Sequence, residues 1–234
     1  MSNLAIIPAR SGSKGLKDKN IRLLCGKPLI QYSVDAALKS GVFDEVMVST
    51  DSERYAEIAR ECGAEVPFLR GDENSGDKSS SWDVVREVLE KYAQSGKQFD
   101  MFTLLQPTSP LRTGEDIKGA YKMYLEKEAY SVVSVCQLGH SLNICNTLPD
   151  DKSLIGFIRN ENKYARQMNP EYFRLNGSIY MCNTEAFLKF GTIYKEKSFA
   201  YIMSELSSVD IDGIDDFFLA ESMLKNNFGG WQVK

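Results

Sequence analysis

The sequence predicts an α/β fold with a mostly parallel sheet flanked by helices. Short, continuously apolar runs alternate with segments of helical period, joined by short turns. The first of these runs, Leu4-Ala5-Ile6-Ile7-Pro8, ends at once in a Gly-rich basic loop, Ala9 to Asn20. A loop of that kind at the carboxyl end of a first strand is where open α/β folds bind phosphate.

Taken in order, the first run reads as a buried parallel strand because it is short, apolar and stopped by Pro8. The loop holds two Gly, two Ser and four basic residues (Arg10, Lys14, Lys17, Lys19) in twelve positions. Small residues let N–H groups approach an anion, and the cations supply counter-charge. The loop is either a phosphate cradle or a solvated basic turn. Its glycine spacing matches neither G-x-x-x-x-G-K-[ST] nor G-x-G-x-x-G.

Pro28 opens a helix through about Lys39, with Gly41 as its stop. A second strand follows over 45–50, and Asp51-Ser52 offers an N-cap for a helix through about Cys62. A third strand is expected over 64–69. The polar stretch from Arg70 to Ser81 reads as a capped surface loop or as a second ligand loop; a helix over 82–93 succeeds it. Another buried strand, 101–105, runs into Gln106-Pro107-Thr108-Ser109-Pro110-Leu111-Arg112. Its prolines stiffen the turn, and its glutamine and arginine are turn-stabilising or substrate-facing. Thr113 caps a helix over 115–126, and 131–136 is the next strand.

Between 140 and 173 the periodicity breaks into short apolar pieces punctuated by Gly, Asn and Pro. This reads as an inserted arm of hairpins within a single domain of 1–234, of a kind that serves oligomer contacts. A strand over 179–182, a helix over 184–190, a strand over 199–203 and a helix over 214–226 complete the chain. In Ser208-Val209-Asp210-Ile211-Asp212-Gly213 an extended backbone places both aspartates on one face and both apolar residues on the other. Paired carboxylates suit a magnesium ion that shares phosphate oxygens, or else they are turn and cap residues. Asp215 and Asp216 are read as caps of the last helix.

Composition narrows the function. Of 234 residues 43% are hydrophobic and 26% charged. A net charge of −4 and a pI near 5.3 count against a nucleic-acid partner. No apolar stretch is long enough to span a bilayer and no signal peptide is evident, so a cytoplasmic location and no membrane partner are expected. The five cysteines form no C-x-x-C pair and read as reduced core thiols. A single histidine, His140, and no G-x-S-x-G leave chemistry to carboxylates, lysines, arginines and a metal.

Four stretches in order, Ile7-Pro8-Ala9-Arg10-Ser11-Gly12-Ser13-Lys14-Gly15 with Lys19-Asn20, Leu105 to Arg112, Arg174-Leu175-Asn176-Gly177 and Asp210-Ile211-Asp212, resemble the acylneuraminate cytidylyltransferases. The resemblance implies a Rossmann-like nucleotidyltransferase fold, a homodimer formed through the 140–173 arm, and magnesium-dependent transfer of CMP from CTP to an acidic nine-carbon sugar. It also implies site roles. Arg10, Lys14, Lys19 and Asp212 would be catalytic. Ala9, Arg10, Ser11, Gly12, Ser13, Lys14, Asn20, Arg70, Asp77, Ser79 and Ser80 would bind the nucleotide. Gln106, Arg166, Arg174 and Asn176 would bind the sugar, and Asp210 with Asp212 would hold Mg2+.

The chain departs from the sialic-acid enzymes around Gly139 to Asn143, where Asn143 stands in place of a family lysine, and around Ile193-Tyr194-Lys195. A legionaminic-type acceptor is therefore as credible as N-acetylneuraminic acid. Kdo or pseudaminic acid transfer, or a non-catalytic nucleotide-sugar-binding protein on the same fold, are the alternatives.

Overall fold

The computed structural model describes residues 1–12, 15–76, 79–140, 142–158 and 170–226. Strand β1 (Asn3–Pro8) has Leu4 and Ile6 in one hydrophobic layer and Ala5 and Ile7 in the other, all fully buried. That two-sided burial makes the run continuously apolar. A two-stranded turn, β2 (Leu23–Leu24) with β3 (Lys27–Pro28), leads into α1 (Leu29–Ser40). Gly41 ends α1 at φ 62°, the left-handed C-cap that its sequence position predicts.

Strand β4 (Glu45–Ser49) pairs parallel with β1, and α2 (Glu53–Glu61) follows. Ser52 sits at the N-cap of α2 but makes no side-chain cap bond. The strand expected over 64–69 reduces to a single parallel bridge between Glu65 and Met47, with Val48 N–H donating to the Glu65 carbonyl at 2.9 Å. Pro67 has no N–H with which to extend the ladder.

Helix α3 (Ser81–Gln94) starts from a capping box between Ser80 and Asp83, and α4 (Gly114–Glu126) from one between Thr113 and Asp116. Between them β5 (Met101–Leu104) pairs parallel with the other side of β1. Then come β6 (Ser131–Gln137), β7 (Phe173–Asn183), α5 (Thr184–Phe190), β8 (Ser198–Met203) and α6 (Ile214–Lys225). The strand order is β4-β1-β5-β7-β6-β8. Only β7 runs against the others, antiparallel to both β5 and β6. The sheet is thus mostly parallel with one reversed strand.

The arm leaves the sheet between β6 and β7, its base closed by Leu138 N–H to the Tyr172 carbonyl at 2.8 Å. In place of the expected hairpins, residues 142–158 hold one 3-10 turn, Leu142–Ile144, and no strand. The rest of the arm, 159–169, lies outside the described residues. All five cysteines are free thiols, but only Cys136 and Cys182 are buried and Cys145 is exposed.

From β1 the chain passes to β4 on one side, then from β4 crosses back over β1 to β5 on the other. The switch point of the sheet is therefore at the carboxyl ends of β1 and β5, where open α/β sheets place ligands. A third apolar cluster lies under that edge. Leu16 and Ile211 pack there with Phe217, Ala220 and Leu224 of α6, so the helix seats both the first loop and the aspartate segment.

Candidate active site

The loop after β1 is held at both ends. Ala9 is fully buried and its N–H bonds the Ser49 carbonyl at 2.8 Å. The buried Asn20 amide donates to the Arg10 carbonyl at 3.0 Å. Ser11 donates its N–H and hydroxyl to the two Asp51 carboxylate oxygens, at 2.8 and 2.7 Å. At the far end Tyr55 donates to Asp18, which stands at φ 54°. Gly15 lies so close to the aspartate segment that a Cβ there would meet the Asp212 carbonyl oxygen at 2.7 Å. Residues with side chains could not make that approach.

Burial raises the Asp51 carboxyl, but the two Ser11 bonds and the charge of Arg70 outweigh it and leave its pKa below the ordinary value. A folded value below the unfolded one means stabilisation that is full above the ordinary carboxylate range and lost as pH falls through it. Asp51→Asn is therefore expected to destabilise the protein at neutral pH, with the gap to wild type closing as denaturation curves are taken below about pH 4. A gap independent of pH would show that the Asp51 charge does not hold Ser11.

The opposite wall is the segment before α6. Ile211 is anchored in the core, its N–H bonded to the Thr108 carbonyl at 2.8 Å. Asp216 accepts from the N–H groups of Asp212 and Gly213, which is the capping expected of it. Asp210 and Asp212 then line one cleft of about 610 Å³ together with Arg10, Lys19, Asn20, Arg70 and Gln106. Lys19 donates to the Ile211 carbonyl at 2.6 Å and lies 3.7 Å from the Asp212 carboxylate. Burial first, then the charge of Asp212, pushes the Asp210 pKa up against the pull of Thr108, Lys19 and Arg174. The Asp210 Oδ1 atom is buried with no hydrogen-bond partner among the described residues.

Gly177 closes this wall at φ +75°, where a Cβ would meet Gln106 Oε1 at 2.6 Å and Asp210 Oδ2 at 3.7 Å. Gly177→Ala is expected to cost about 1–2 kcal/mol of stability from the left-handed backbone alone. It should also push the Gln106 side chain aside; a melt reads the first effect and a structure of the variant the second.

The third side is formed by residues of the 70–80 stretch. Arg70 is buried, with Nε and Nη2 donating to Ser49 at 3.1 and 2.6 Å, and burial lowers its pKa to about 10. Asn74, Gly76, Ser79 and Ser80 line the cleft beside it. Ser13, Lys14, Asp77 and Arg166 lie outside the described residues, as does the Asn143 side chain.

Several residues expected at the ligand do other work. Ala9 and Ser11 have their donors engaged by Ser49 and Asp51, and Gly12 stands in open space. Asn176 is buried. It accepts from Ser134 Oγ at 2.6 Å and donates to Ser208 Oγ at 2.8 Å, so it ties β6 and β7 to the aspartate segment instead of lining the cleft. Arg174 is exposed and donates to the Ser208 carbonyl at 3.2 Å, outside the cleft lining. Of the glutamine and arginine in the proline turn, Gln106 faces the cleft and Arg112 is buried, bonding the turn to β7. Asp51, Asn74 and Thr108 were missed. Asp51 read as a helix cap, and only the tertiary fold shows that its carboxylate serves Ser11.

Cations on one wall, carboxylates on the other and a sheet switch point beneath them define an α/β protein with a cleft suited to an anionic ligand. The particular family follows from comparison with known proteins. The chain belongs to the cytidylyltransferases: a family model described as Cytidylyltransferase matches residues 4–220. It is 42% identical over 218 residues to an N-acylneuraminate cytidylyltransferase of Escherichia coli O18:K1:H7, covering 93% of this chain and 51% of that protein. The chain thus spans about half the length of that relative and of similar ones from Streptococcus agalactiae. It is also 37% identical over 230 residues to a CMP-N,N'-diacetyllegionaminic acid synthase of Legionella pneumophila, covering 97% of this chain and 98% of that one. Among solved structures, a CMP:2-keto-3-deoxy-manno-octonic acid synthetase complexed with CTP shares the fold. Its TM-score is 0.73 at 17% identity, over 97% of this chain and 100% of that one.

Proposed function

We propose that the protein transfers CMP from CTP to the anomeric hydroxyl of an acidic nine-carbon keto sugar, N-acetylneuraminic or legionaminic in type, and releases pyrophosphate. The observation that carries this reading is the cleft in which Arg10, Lys19 and Arg70 face Asp210 and Asp212. Its volume falls within the range of small-ligand sites. The full-length match to the Legionella relative favours the legionaminic form as the second reading of the acceptor.

In this mechanism the triphosphate lies along the first loop, held by Arg10, Lys19 and Asn20 and by Ser13 and Lys14 where the loop continues. Arg70, Ser79 and Ser80 take the base and ribose. Gln106 orients the sugar, and Arg166 supplies charge for its carboxylate. The sugar hydroxyl attacks the α-phosphorus in line, and the bond to pyrophosphate breaks. Such a transfer needs positioning and charge stabilisation more than a proton-relaying side chain, which agrees with the exposed position of the lone His140.

The donor set fits Mg2+. Asp210 Oδ1 is a buried carboxylate oxygen without a partner among the described residues, and Asp212 stands beside it. Among those residues no third carboxylate, His or Cys joins them, so phosphate oxygens and water would complete the shell. Bound there, magnesium would neutralise charge on the phosphates and on the departing pyrophosphate. Lys19, fixed on the Ile211 carbonyl, keeps a positive charge at the same edge.

A homodimer belongs to the proposal. Leu142, Ile144, Leu148, Leu154 and Ile155 are all exposed on the arm, Ile155 at 96%, and a second copy would cover them. No described helix is long and apolar enough to cross a membrane, and dependence on CTP supports a cytoplasmic location. The test is pyrophosphate release with CTP and magnesium against N-acetylneuraminic, legionaminic, pseudaminic and Kdo acids in parallel. Turnover with one of the first two is expected; turnover only with Kdo or pseudaminic acid, or silence with all four, overturns the reading.

A further inference from the structure

We propose that Glu87 is a positioning residue for the nucleotide side of the cleft: from α3 it holds the 71–76 loop in the shape that sets Asn74 against the ligand. This rests on the reading of the cleft as a CTP site.

Ser80, Val84, Glu87 and Lys91 recur at three- and four-residue spacing and share one face along α3 and its cap. The first two line the cleft. Glu87 lies a turn further along and is absent from the cleft lining, so it acts through others. Both of its carboxylate oxygens serve the loop. Oε1 accepts the Gly71 N–H at 2.7 Å and Oε2 accepts the Asn74 amide at 2.7 Å. Lys91 backs the arrangement, donating to Glu87 Oε1 at 2.6 Å and to the Leu69 carbonyl at 2.8 Å.

The loop otherwise closes mainly on itself: Asn74 N–H to the Gly71 carbonyl at 3.1 Å, Ser75 N–H to Asp72 at 3.2 Å and Ser75 Oγ to Gly71 at 2.8 Å. Those bonds shape a turn but do not dock it. Arg70, just before the loop, is docked separately by its N–H to the Thr50 carbonyl at 2.8 Å and by its guanidinium to Ser49. The bonds that dock 71–74 converge on one ionised side chain, and bonds to an ionised acceptor are the stronger kind. Gly71 is packed so closely that a Cβ there would meet Glu87 Oε1 at 3.3 Å. Burial raises the Glu87 pKa, but the bonds from Lys91, Gly71 and Asn74 outweigh it and keep it below the ordinary value. A glutamine has one acceptor oxygen and would turn its NH2 towards a donor.

The experiment compares wild type, Glu87→Gln, Asn74→Ala and the double variant. It measures CTP Kd by calorimetry, kcat, both KM values, and hydrogen exchange of the 71–75 amides. Glu87→Gln is expected to raise the CTP Kd and KM about tenfold, the effect of one charged hydrogen bond. kcat and the acceptor KM should stay within about twofold, because an interaction common to ground and transition state leaves turnover alone. The loop amides should exchange faster. The double variant should weaken CTP less than the product of the single effects, since the partners are shared.

A fall in kcat with CTP affinity unchanged, or loop protection equal to wild type, overturns the proposal. If Glu87→Gln fails to fold, Glu87→Asp, which keeps the charge but is one methylene short, gives the same readouts. Wild type that binds no CTP would sink the parent reading, and the exchange data would still show separately whether Glu87 docks the loop.

Discussion

Asp212→Asn is expected to lower turnover at saturating magnesium by at least about 100-fold, the order associated with loss of one electrostatic stabiliser, while the melting temperature stays near wild type. The two halves of that expectation come from different facts. The Asp212 side chain is 87% exposed and pairs only loosely with Lys19 at 3.7 Å, and an exposed pair contributes little to stability. Its backbone is fixed without the carboxylate, because its own N–H and that of Gly213 both bond to Asp216. Removing the charge therefore leaves the wall standing and takes away only what the wall presents to the ligand. Asp210→Asn separates from it. There the folded carboxylate carries a raised pKa, so the neutral amide should hold or raise stability at neutral pH while turnover falls as far. Near-normal turnover of Asp212→Asn would remove it from the metal site; a collapse in melting temperature would make its role structural.

The sequence reveals this site unevenly, for physical reasons. The strand before the first loop is legible because both of its faces are buried. Gly15 and Gly177 stand in motifs whose glycines have local causes, a close approach and a left-handed backbone. Asp210 and Asp212 are legible through strand alternation, since Ile211 between them is fully buried. The direction of β7 is not legible, because an apolar strand reads the same either way and only its partners set its sense. The missing strand at 64–69 shows the same limit: propensity proposes a ladder, and whether a neighbour can donate decides it. Ser11 and Asn176 look like ligand groups by residue type, yet Asp51 and Ser134, about forty residues away in each case, take up their hydrogen bonds. Polar residues near a site divide into those that meet the ligand and those that hold the first kind, and residue type alone does not separate them.

Arg112 belongs to the second kind, and Arg112→Met is expected to cost roughly 1–3 kcal/mol, a sizeable share of a domain's net stability. Its guanidinium is fully buried. It donates to the Ser178 carbonyl at 2.8 Å, to the Gln106 carbonyl at 3.3 Å and to Ser33 Oγ at 2.5 Å. One planar group thus joins α1, the proline turn and β7. Burial pulls its pKa down to about 9, which leaves it charged at neutral pH. Methionine fills the volume but takes the guanidinium donor from the Ser178 carbonyl, a loss of about 1–3 kcal/mol, while the Gln106 carbonyl keeps the Ser33 hydroxyl and the Ser109 N–H at 3.3 Å each. Lysine keeps the charge, but a single ammonium cannot reproduce a planar fork aimed at three acceptors, so Arg112→Lys should rescue only part. The damage should reach the cleft as well, because the carbonyl that Arg112 holds is that of Gln106, whose side chain faces the ligand beside Gly177. Denaturant melts give the stability loss, and the acceptor KM of the protein that remains folded gives the displacement. A melting temperature indistinguishable from wild type, against the roughly 2–12 °C that such a loss implies, would show that water can replace the guanidinium.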